Sequence, residues 1–458
     1  MTFYKNDQFI KEFRVETKEL SENEKKVLEK LTAAAKLVAP IYKKQQNPTF
    51  EGANFYPHDT TKAEIEEAAK KNPKILDPYT IVKKRNGKLT AVPYHIEYKS
   101  EVAEIAKLIL EAAALTDNDA FCRRLELQAE ALLNGTYPVA DVYWLTMKPY
   151  KIDIVIGPIE RYDDKLFFTK CAYQSWVGLI EETETKEATK FQNTIYLSHR
   201  RRFEPFHKVD FLDKIQVRVD KTLIFSGLIA RYGFTSTNLP NDLELMEKFG
   251  SEITIFTPSF EEKFEKLHYP IFRQVFEENF QTSYSSDILK RGSLHNTILH
   301  EISHPLMRYR GSEFRLKELF PIFDEILASV YGVKACGILL LKNVISQKEL
   351  EAIMVMFICK AFSWWCDYLK EPTTIYYTKG YAIALNYFLK NESLKETGGI
   401  SWPNFSKLFA SFDELAEILE KLLSVGSYKE AKGFVDQYGS FDVFRQFQPK
   451  LNPQKSSN

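Results

Sequence analysis

Ile152, Ile154 and Ile156 alternate with Asp153 and Val155 up to a Gly157-Pro158 turn, in the middle of a chain whose flanks repeat their apolar residues at helical spacing. Strand side chains point to opposite faces in turn, whereas helical positions i, i+3 and i+4 share one face. The two textures therefore call for a β core with helices on either side of it in sequence. The change begins near Tyr143, and further strand-like runs follow at Phe167–Ile180, Ile215–Val219, Thr222–Ile229 and Ile253–Phe256. A small, mostly β core is expected from them. The charged segment Glu181–Lys190 and the basic run His199–Arg202 interrupt these strands and read as solvated surface.

Before this block, Ser21 and Glu24 form a capping-box signature for a helix running toward Val38, with Pro40 just beyond. Helical periodicity returns over Glu101–Ala114 and Phe121–Leu133, the latter stopped by Asn134-Gly135. From Tyr269 the pattern is helical nearly to Tyr438, and Pro449–Asn458 reads as a frayed polar tail. There is no internal repeat.

With 458 residues, 44% hydrophobic and 27% charged, the chain can build two or three domains, or one two-lobed enzyme. Lys plus Arg and Asp plus Glu are both 62, so no net charge draws it to nucleic acid or an anionic membrane, and neither partner is expected. Cys122, Cys171, Cys336, Cys359 and Cys366 form no CxxC pair and read as reduced thiols. Met1–Arg14 has no secretory pattern, and the longest apolar stretches, Gly337–Leu341 and Ala352–Ile358, are too short to cross a bilayer. A cytoplasmic location is the expectation.

His300, Glu301, Ile302, Ser303 and His304 spell HEISH, a form of H-E-x-x-H, inside a helical stretch that begins near Ser293. Histidines at i and i+4 lie one turn apart on one helix face, so both rings can reach a single Zn²⁺ while Glu301 serves as general base. With only eight histidines in the chain, a chance match is expected in about one chain in a hundred. Pro305 has no amide hydrogen for the helix ladder and should kink or end the helix just past the second ligand.

A catalytic zinc site needs a third protein ligand and keeps a fourth position open. Downstream, Ile322, Phe323, Ile326, Leu327 and Val330 outline a second apolar helix with Asp324 and Glu325 inside it. A carboxylate in a core helix is costly unless paired or metal-bound, and Glu325 is the expected third ligand, against the plainer reading of a partly exposed helix acid.

These residues resemble the dipeptidyl peptidase III family of zinc metallopeptidases, in a short bacterial-type form with the five-residue HEISH motif. The zinc helix matches at His300, Glu301 and His304, and the double-acid motif at Asp324 and Glu325. A second block, Asp153 to Tyr162 followed by two aspartates, resembles the family's strand and turn; there Glu160 would hold the peptide's amino terminus and Tyr162 would stabilise the oxyanion. A third, Asn238-Leu-Pro-Asn241, resembles the asparagine pair that grips the same end of the peptide. Weaker similarity at Tyr56–Asp59, Asp77–Thr80 and Tyr428–Tyr438 extends the resemblance over about residues 20 to 440. Two positions depart from the family: Ser329 stands where an acid supports the metal shell, and Lys379 falls near a histidine that helps stabilise the transition state.

The resemblance implies an α+β fold of two lobes separated by a wide cleft. One lobe would be mostly helical and zinc-bearing, the other β-containing, with a small barrel-like core plus helices. The β-containing lobe would comprise residues 1–180 and 222–267 with the tail from about 430 to 458, and the helical lobe 181–221 and 268–430. The implied function is a zinc-dependent exopeptidase, one Zn²⁺ per chain, removing dipeptides from the N-terminus of short peptides with a zinc-activated water as nucleophile, and acting as a monomer. A catalytically degenerate peptide- or protein-binding member, or a zinc amidohydrolase of other specificity, are the alternatives.

Overall fold

A computed structural model of the chain describes residues 9–203, 212–309, 311–370, 374–395, 400 and 403–451. The fold is α+β. It divides into two compact units, Met1–Thr185 with Lys214–Ser259, and Lys186–Asp213 with Phe260–Asn458.

The first unit is built on a six-stranded sheet. Its strands are β1 (Ile10–Glu12), β4 (Ile152–Glu160), β5 (Ala172–Ile180), β6 (Gln216–Gly227), β7 (Ser236–Leu239) and β8 (Glu252–Phe256), in the order β4-β5-β6-β8-β7 with β1 also on β6. The pairings are antiparallel except β6 with β8. A separate hairpin, β2 (Thr80–Arg85) and β3 (Lys88–Pro93), turns at Asn86 and Gly87, both with positive φ (51° and 75°). That is the geometry of a two-residue primed turn, which Asn-Gly favours. Helices α1 (Glu22–Lys36), α2 (Val38–Gln45), α3 (Lys99–Ala113) and α4 (Asp119–Asn134) share a core with the sheet through Leu31, Ile41, Ile109, Leu132, Ile154 and Val177, all buried. The Ser21–Glu24 capping box is formed, and Gly135 closes α4 with φ 76°, a conformation that costs glycine nothing.

The second unit is helical. It takes most of α5 (Glu182–Phe203), then α6 (Ser286–Ser303), α7 (Phe320–Leu341), α8 (Gln347–Tyr368), α9 (Ile375–Lys390), α10 (Phe405–Ser424) and α11 (Tyr428–Tyr438). Helix α7 is buried along nearly its whole length, and α6 packs on both α7 and α8. Two glycines set these approaches. A Cβ on Gly332 of α7 would sit 3.0 Å from the Leu299 backbone of α6, and one on Gly292 of α6 would sit 2.8 Å from Ala352 of α8.

The structure revises several sequence expectations. The run Ile215–Val219, assigned to the helical lobe, continues into Thr222–Gly227 as the single strand β6, whose ladders with β5 and β8 keep it in the first unit. The C-terminal stretch belongs to the second unit rather than the β-containing one. Asn386 of α9 donates to the carbonyls of Tyr438 (2.7 Å) and Ser440 (2.8 Å), and Phe444 packs on Phe362 and Trp365 with ring centroids 5.4 Å away. Glu181–Lys190 is not merely solvated surface: it begins α5, whose Ala188, Phe191 and Ile195 are buried. His199 is buried too, with Nδ1 2.9 Å from the Tyr331 hydroxyl, while the side chains of Arg200, Arg201 and Arg202 lie outside the described set. Among the described residues no helix is long and apolar enough to cross a membrane.

Candidate functional site

In the second unit, α6 starts at the Ser285 cap, whose side chain accepts from the Ile288 amide, and delivers His300 on its last turn. The α-helical ladder stops at Ser303 and a 3₁₀ turn, His304–Met307, takes over, as Pro305 requires. His304 keeps helical φ/ψ (−51°, −48°), so the i,i+4 relation of the two rings survives. Their Nε2 atoms are 3.1 Å apart, with ring planes at 84°.

Helix α7 brings Glu325 to the same point. Its Oε2 lies 3.4 Å from His300 Nε2 and 3.7 Å from His304 Nε2. Ligand atoms around a tetrahedral cation with bonds of about 2.0–2.1 Å stand about 3.3 Å apart. The triangle of 3.1, 3.4 and 3.7 Å fits that figure. Oε2 is buried and has no well-formed hydrogen bond, an orphan that a cation would satisfy. Among the described residues, His300, His304 and Glu325 are the group of this kind whose ligand atoms converge.

The electrostatics agree. Burial alone would raise the Glu325 carboxyl, but His304 and His300 outweigh it and hold it well below its ordinary value. Burial opposes protonation of His304, yet Glu325 and Asp324 overcome it and push the ring up to about 9. Burial lowers His300, reinforced by the charge on His304. The cluster therefore retains a proton at neutral pH, the positive charge that a metal ion would displace.

Surrounding groups fix this arrangement. Ser329, one turn beyond Glu325, has its hydroxyl 2.8 Å from His300 Nδ1 and 3.1 Å from the Tyr381 hydroxyl. Asp324 Oδ2 lies 3.7 Å from His304 Nδ1. Glu301 acts electrostatically on both rings and on Lys360 of α8, whose ammonium burial lowers to about 8. Sequence reasoning missed Lys360, although a lone lysine after the apolar run Ala352–Ile358 was a legible sign of a partnered charge. Lys379 does not face the group: its Nζ donates to the Gly439 carbonyl (2.9 Å) and lies 4.0 Å over the Phe441 ring. Tyr376, one turn earlier on α9, and Tyr381 on the same helix have hydroxyls that feel the Glu325 charge.

In the first unit, Glu160 ends β4, where the β4–β5 register shifts between Pro158 and Glu160. Such an irregularity re-aims a side chain. Glu160 is buried, and burial raises its carboxyl to about 7 against the pull of Asn241. Asn241 Nδ2 donates to Glu160 Oε2 (2.9 Å) and to the Ile159 carbonyl (3.1 Å). Asn238 is in β7, followed by a cis Leu239–Pro240 bond, and its Oδ1 is buried without a hydrogen-bond partner. Tyr162 is exposed, its ring 5.8 Å from Phe234 and 6.2 Å from Tyr232.

The two aspartates after Tyr162 hold its loop. Asp163 accepts from Tyr42 (2.8 Å), Gln46 (2.6 Å), Tyr232 (2.9 Å) and Arg231 (3.3 Å). Asp164 accepts from the amides of Phe167, Thr169 and Lys170 and from the Tyr56 hydroxyl. The Tyr56 segment, read as weakly similar to the family, thus meets the Glu160–Asp164 block directly.

No family model matches the chain. A curated protein, Nudix hydrolase 3 of Arabidopsis thaliana, is 23% identical over 343 residues, covering 74% of this chain and 43% of that protein, so the chain spans less than half the length of that relative. Among solved structures, a dipeptidyl peptidase III from Caldithrix abyssi superposes with a TM-score of 0.87 at 24% identity, covering 96% of this chain and 94% of that one. Another, from Corallococcus sp. strain EGB, has a TM-score of 0.79 at 25% identity, covering 96% and 91%. The resemblance carried by the separate sequence motifs extends to the fold over 96% of the chain, which is structurally related to the dipeptidyl peptidase III family.

Proposed function

We propose that this chain is a zinc-dependent exopeptidase that releases dipeptides from the N-terminus of short oligopeptides. The observation that carries the reading is the convergence of His300 Nε2, His304 Nε2 and Glu325 Oε2 within 3.1–3.7 Å of one another, with Glu301 next to it in sequence. A zinc ion held there would supply Lewis acidity toward a carbonyl and toward water.

The chain's own residues do the rest. Glu301 takes a proton from the attacking water and delivers it to the leaving amine. Tyr162 donates its phenolic hydrogen to the developing oxyanion. Glu160 selects an ammonium group, and Asn238 and Asn241 pair with backbone amides at the same end of the peptide. Support for this part is the buried carboxyl of Glu160 and the unpartnered Oδ1 of Asn238, an acceptor awaiting a donor. Exopeptidase specificity then follows from anchoring the substrate's amino end while its second peptide bond is cut.

Purified protein should release the arylamine from dipeptidyl-arylamides with zinc present, lose that activity on chelation, and ignore N-acetylated substrates. Glu301→Ala should be inactive, folded and still zinc-loaded. The engagement of Lys379 by Gly439 and Phe441 favours a second reading, a non-catalytic peptide-binding member. Binding of free peptides with no turnover by the zinc-loaded wild type would select it.

A further inference from the structure

His300 and His304 are supported differently. Behind His304 stands a carboxylate, Asp324, at 3.7 Å; behind His300 stands a hydroxyl, Ser329 Oγ, at 2.8 Å from Nδ1, and behind that a second hydroxyl, Tyr381, at 3.1 Å. Ser329 and Tyr381 are buried, and the Trp364 side chain also hydrogen-bonds to Tyr381. Helix α7 supplies the serine, α9 the tyrosine and α8 the indole that meets it, so the two hydroxyls are fixed by packing rather than by solvent. Helix α9 is brought close at this level by Gly380, where a Cβ would lie 2.9 Å from Ile326.

We propose that Ser329 and Tyr381 form a neutral hydroxyl relay that sets the tautomer and orientation of His300 for metal binding. They are positioning residues that touch neither metal nor substrate. The proposal rests on the metal reading given above. Ser329 Oγ accepts from the Nδ1 hydrogen of His300, which leaves the Nε2 lone pair facing Glu325 and His304. A ligand imidazole whose second nitrogen is tied in this way loses less freedom on binding a metal, and such partners change metal affinity by about 10–100-fold. Tyr381 holds the serine hydroxyl in the rotamer that meets the ring. Because both groups are uncharged, the relay orients the imidazole without the extra negative charge that a carboxylate would lend it.

The test is zinc affinity, measured on the full chain by competition with a chromophoric chelator. Ser329→Ala should weaken zinc binding by about 10–100-fold, Ser329→Thr should stay within about threefold of wild type, and Tyr381→Phe should weaken it several-fold. In the double variant Ser329→Ala/Tyr381→Phe, affinity should be no lower than in Ser329→Ala alone, because the tyrosine acts through the serine. Independent packing defects would instead multiply. Equal affinity in wild type and Ser329→Ala, or multiplicative losses in the double variant, overturns the relay while leaving the metal reading intact. A wild type that binds no zinc, and is indistinguishable from His300→Ala in the assay, overturns both. Tyr381→Phe removes a single oxygen and serves as the folded comparison if Ser329→Ala proves unstable.

Discussion

Asn241 donates one amide nitrogen to both the side-chain Oε2 of Glu160 and the carbonyl of Ile159, at 2.9 and 3.1 Å, so an exposed asparagine holds a buried carboxyl in place. The pair has opposite effects on the acid. Burial raises Glu160 to about 7, and the Asn241 hydrogen bond draws it back down. A peptide ammonium needs the ionised form. KM for a dipeptidyl-arylamide should therefore fall as pH rises through about 7, then climb as the peptide's own amino group loses its proton near pH 8. Removing the donor in Asn241→Ala should shift the acidic limb to higher pH. A KM that is flat between about pH 6 and 8, or the same profile in Asn241→Ala, would take Glu160 out of ammonium binding.

The same shift has a consequence for stability. A carboxyl whose folded pKa is raised makes the folded protein bind more protons than the unfolded chain, so stability falls as pH rises from about 4.5 to about 7. Glu160→Gln removes that cost. It should melt higher than wild type at pH 8, by up to ~3 kcal/mol in stability, and should lose selectivity for free amino termini. Thermal denaturation at pH 5 and pH 8 checks the sign: the gain should appear only at the higher pH.

Glu301→Gln keeps size and helix propensity and removes the carboxylate proposed as the base. The expected result is a fall in kcat of about 10²–10⁴-fold with zinc stoichiometry unchanged, and a lower melting temperature because the buried Lys360 ammonium loses a neighbouring charge. Turnover at the wild-type rate would mean that the proton leaves by another route.

Much of this site was legible because its information is local. An i,i+4 pair of histidines fixes its own geometry once the helix forms, and two acids in an apolar helix advertise a buried charge. Glu160 was readable only through the resemblance, since strand-end acids are ordinary and its burial depends on β5 and on a loop more than eighty residues away. The hairpin at Asn86-Gly87 went unread, although Asn-Gly between two short β-prone runs is a strong local signal. The supports of the site were readable only in part: Ser329 through the resemblance, and Lys360 as a lone lysine after an apolar run. The partners that the Ser329 hydroxyl meets, His300 on one side and Tyr381 on the other, and the position of Lys360 near Glu301 depend on which faces of α6, α7, α8 and α9 meet, and only packing decides that. The placement of the C-terminal stretch failed for the same reason, because carbonyl capping by Asn386 and Lys379 carries no periodicity.

Gly332 and Gly292 allow a comparison between two helix crossings. An added methyl on Gly332 meets the Leu299 backbone one residue before His300, and one on Gly292 meets Ala352 about 10 Å further back along α6. Both Gly→Ala variants should lose about 1–3 kcal/mol of stability by overpacking. Only Gly332→Ala should also weaken zinc binding in the folded protein, because it moves the helix carrying Glu325 relative to the one carrying both histidines. Equal zinc affinities in the two variants would show that the ligand triangle tolerates separation of its helices.

Asp163 offers the sharpest check on Tyr162. Its carboxylate collects Tyr42, Gln46, Tyr232 and Arg231, and Tyr232 in turn packs against the Tyr162 ring. Asp163→Asn keeps the shape, removes the charge that Arg231 answers, and replaces an acceptor with a donor facing other donors. The loop should loosen around Tyr162 while Glu160, on β4, stays in place. If Tyr162 donates to the oxyanion, Tyr162→Phe should lower kcat by about 10²–10³-fold with little change in KM. Asp163→Asn should lower kcat less, also with KM nearly constant, and should add nothing in the Tyr162→Phe background, since its effect passes through the hydroxyl already removed. A rise in KM as the main effect of Asp163→Asn would place its influence on the ammonium clamp proposed for Glu160 instead, and would separate the two roles proposed for the Glu160–Asp164 block.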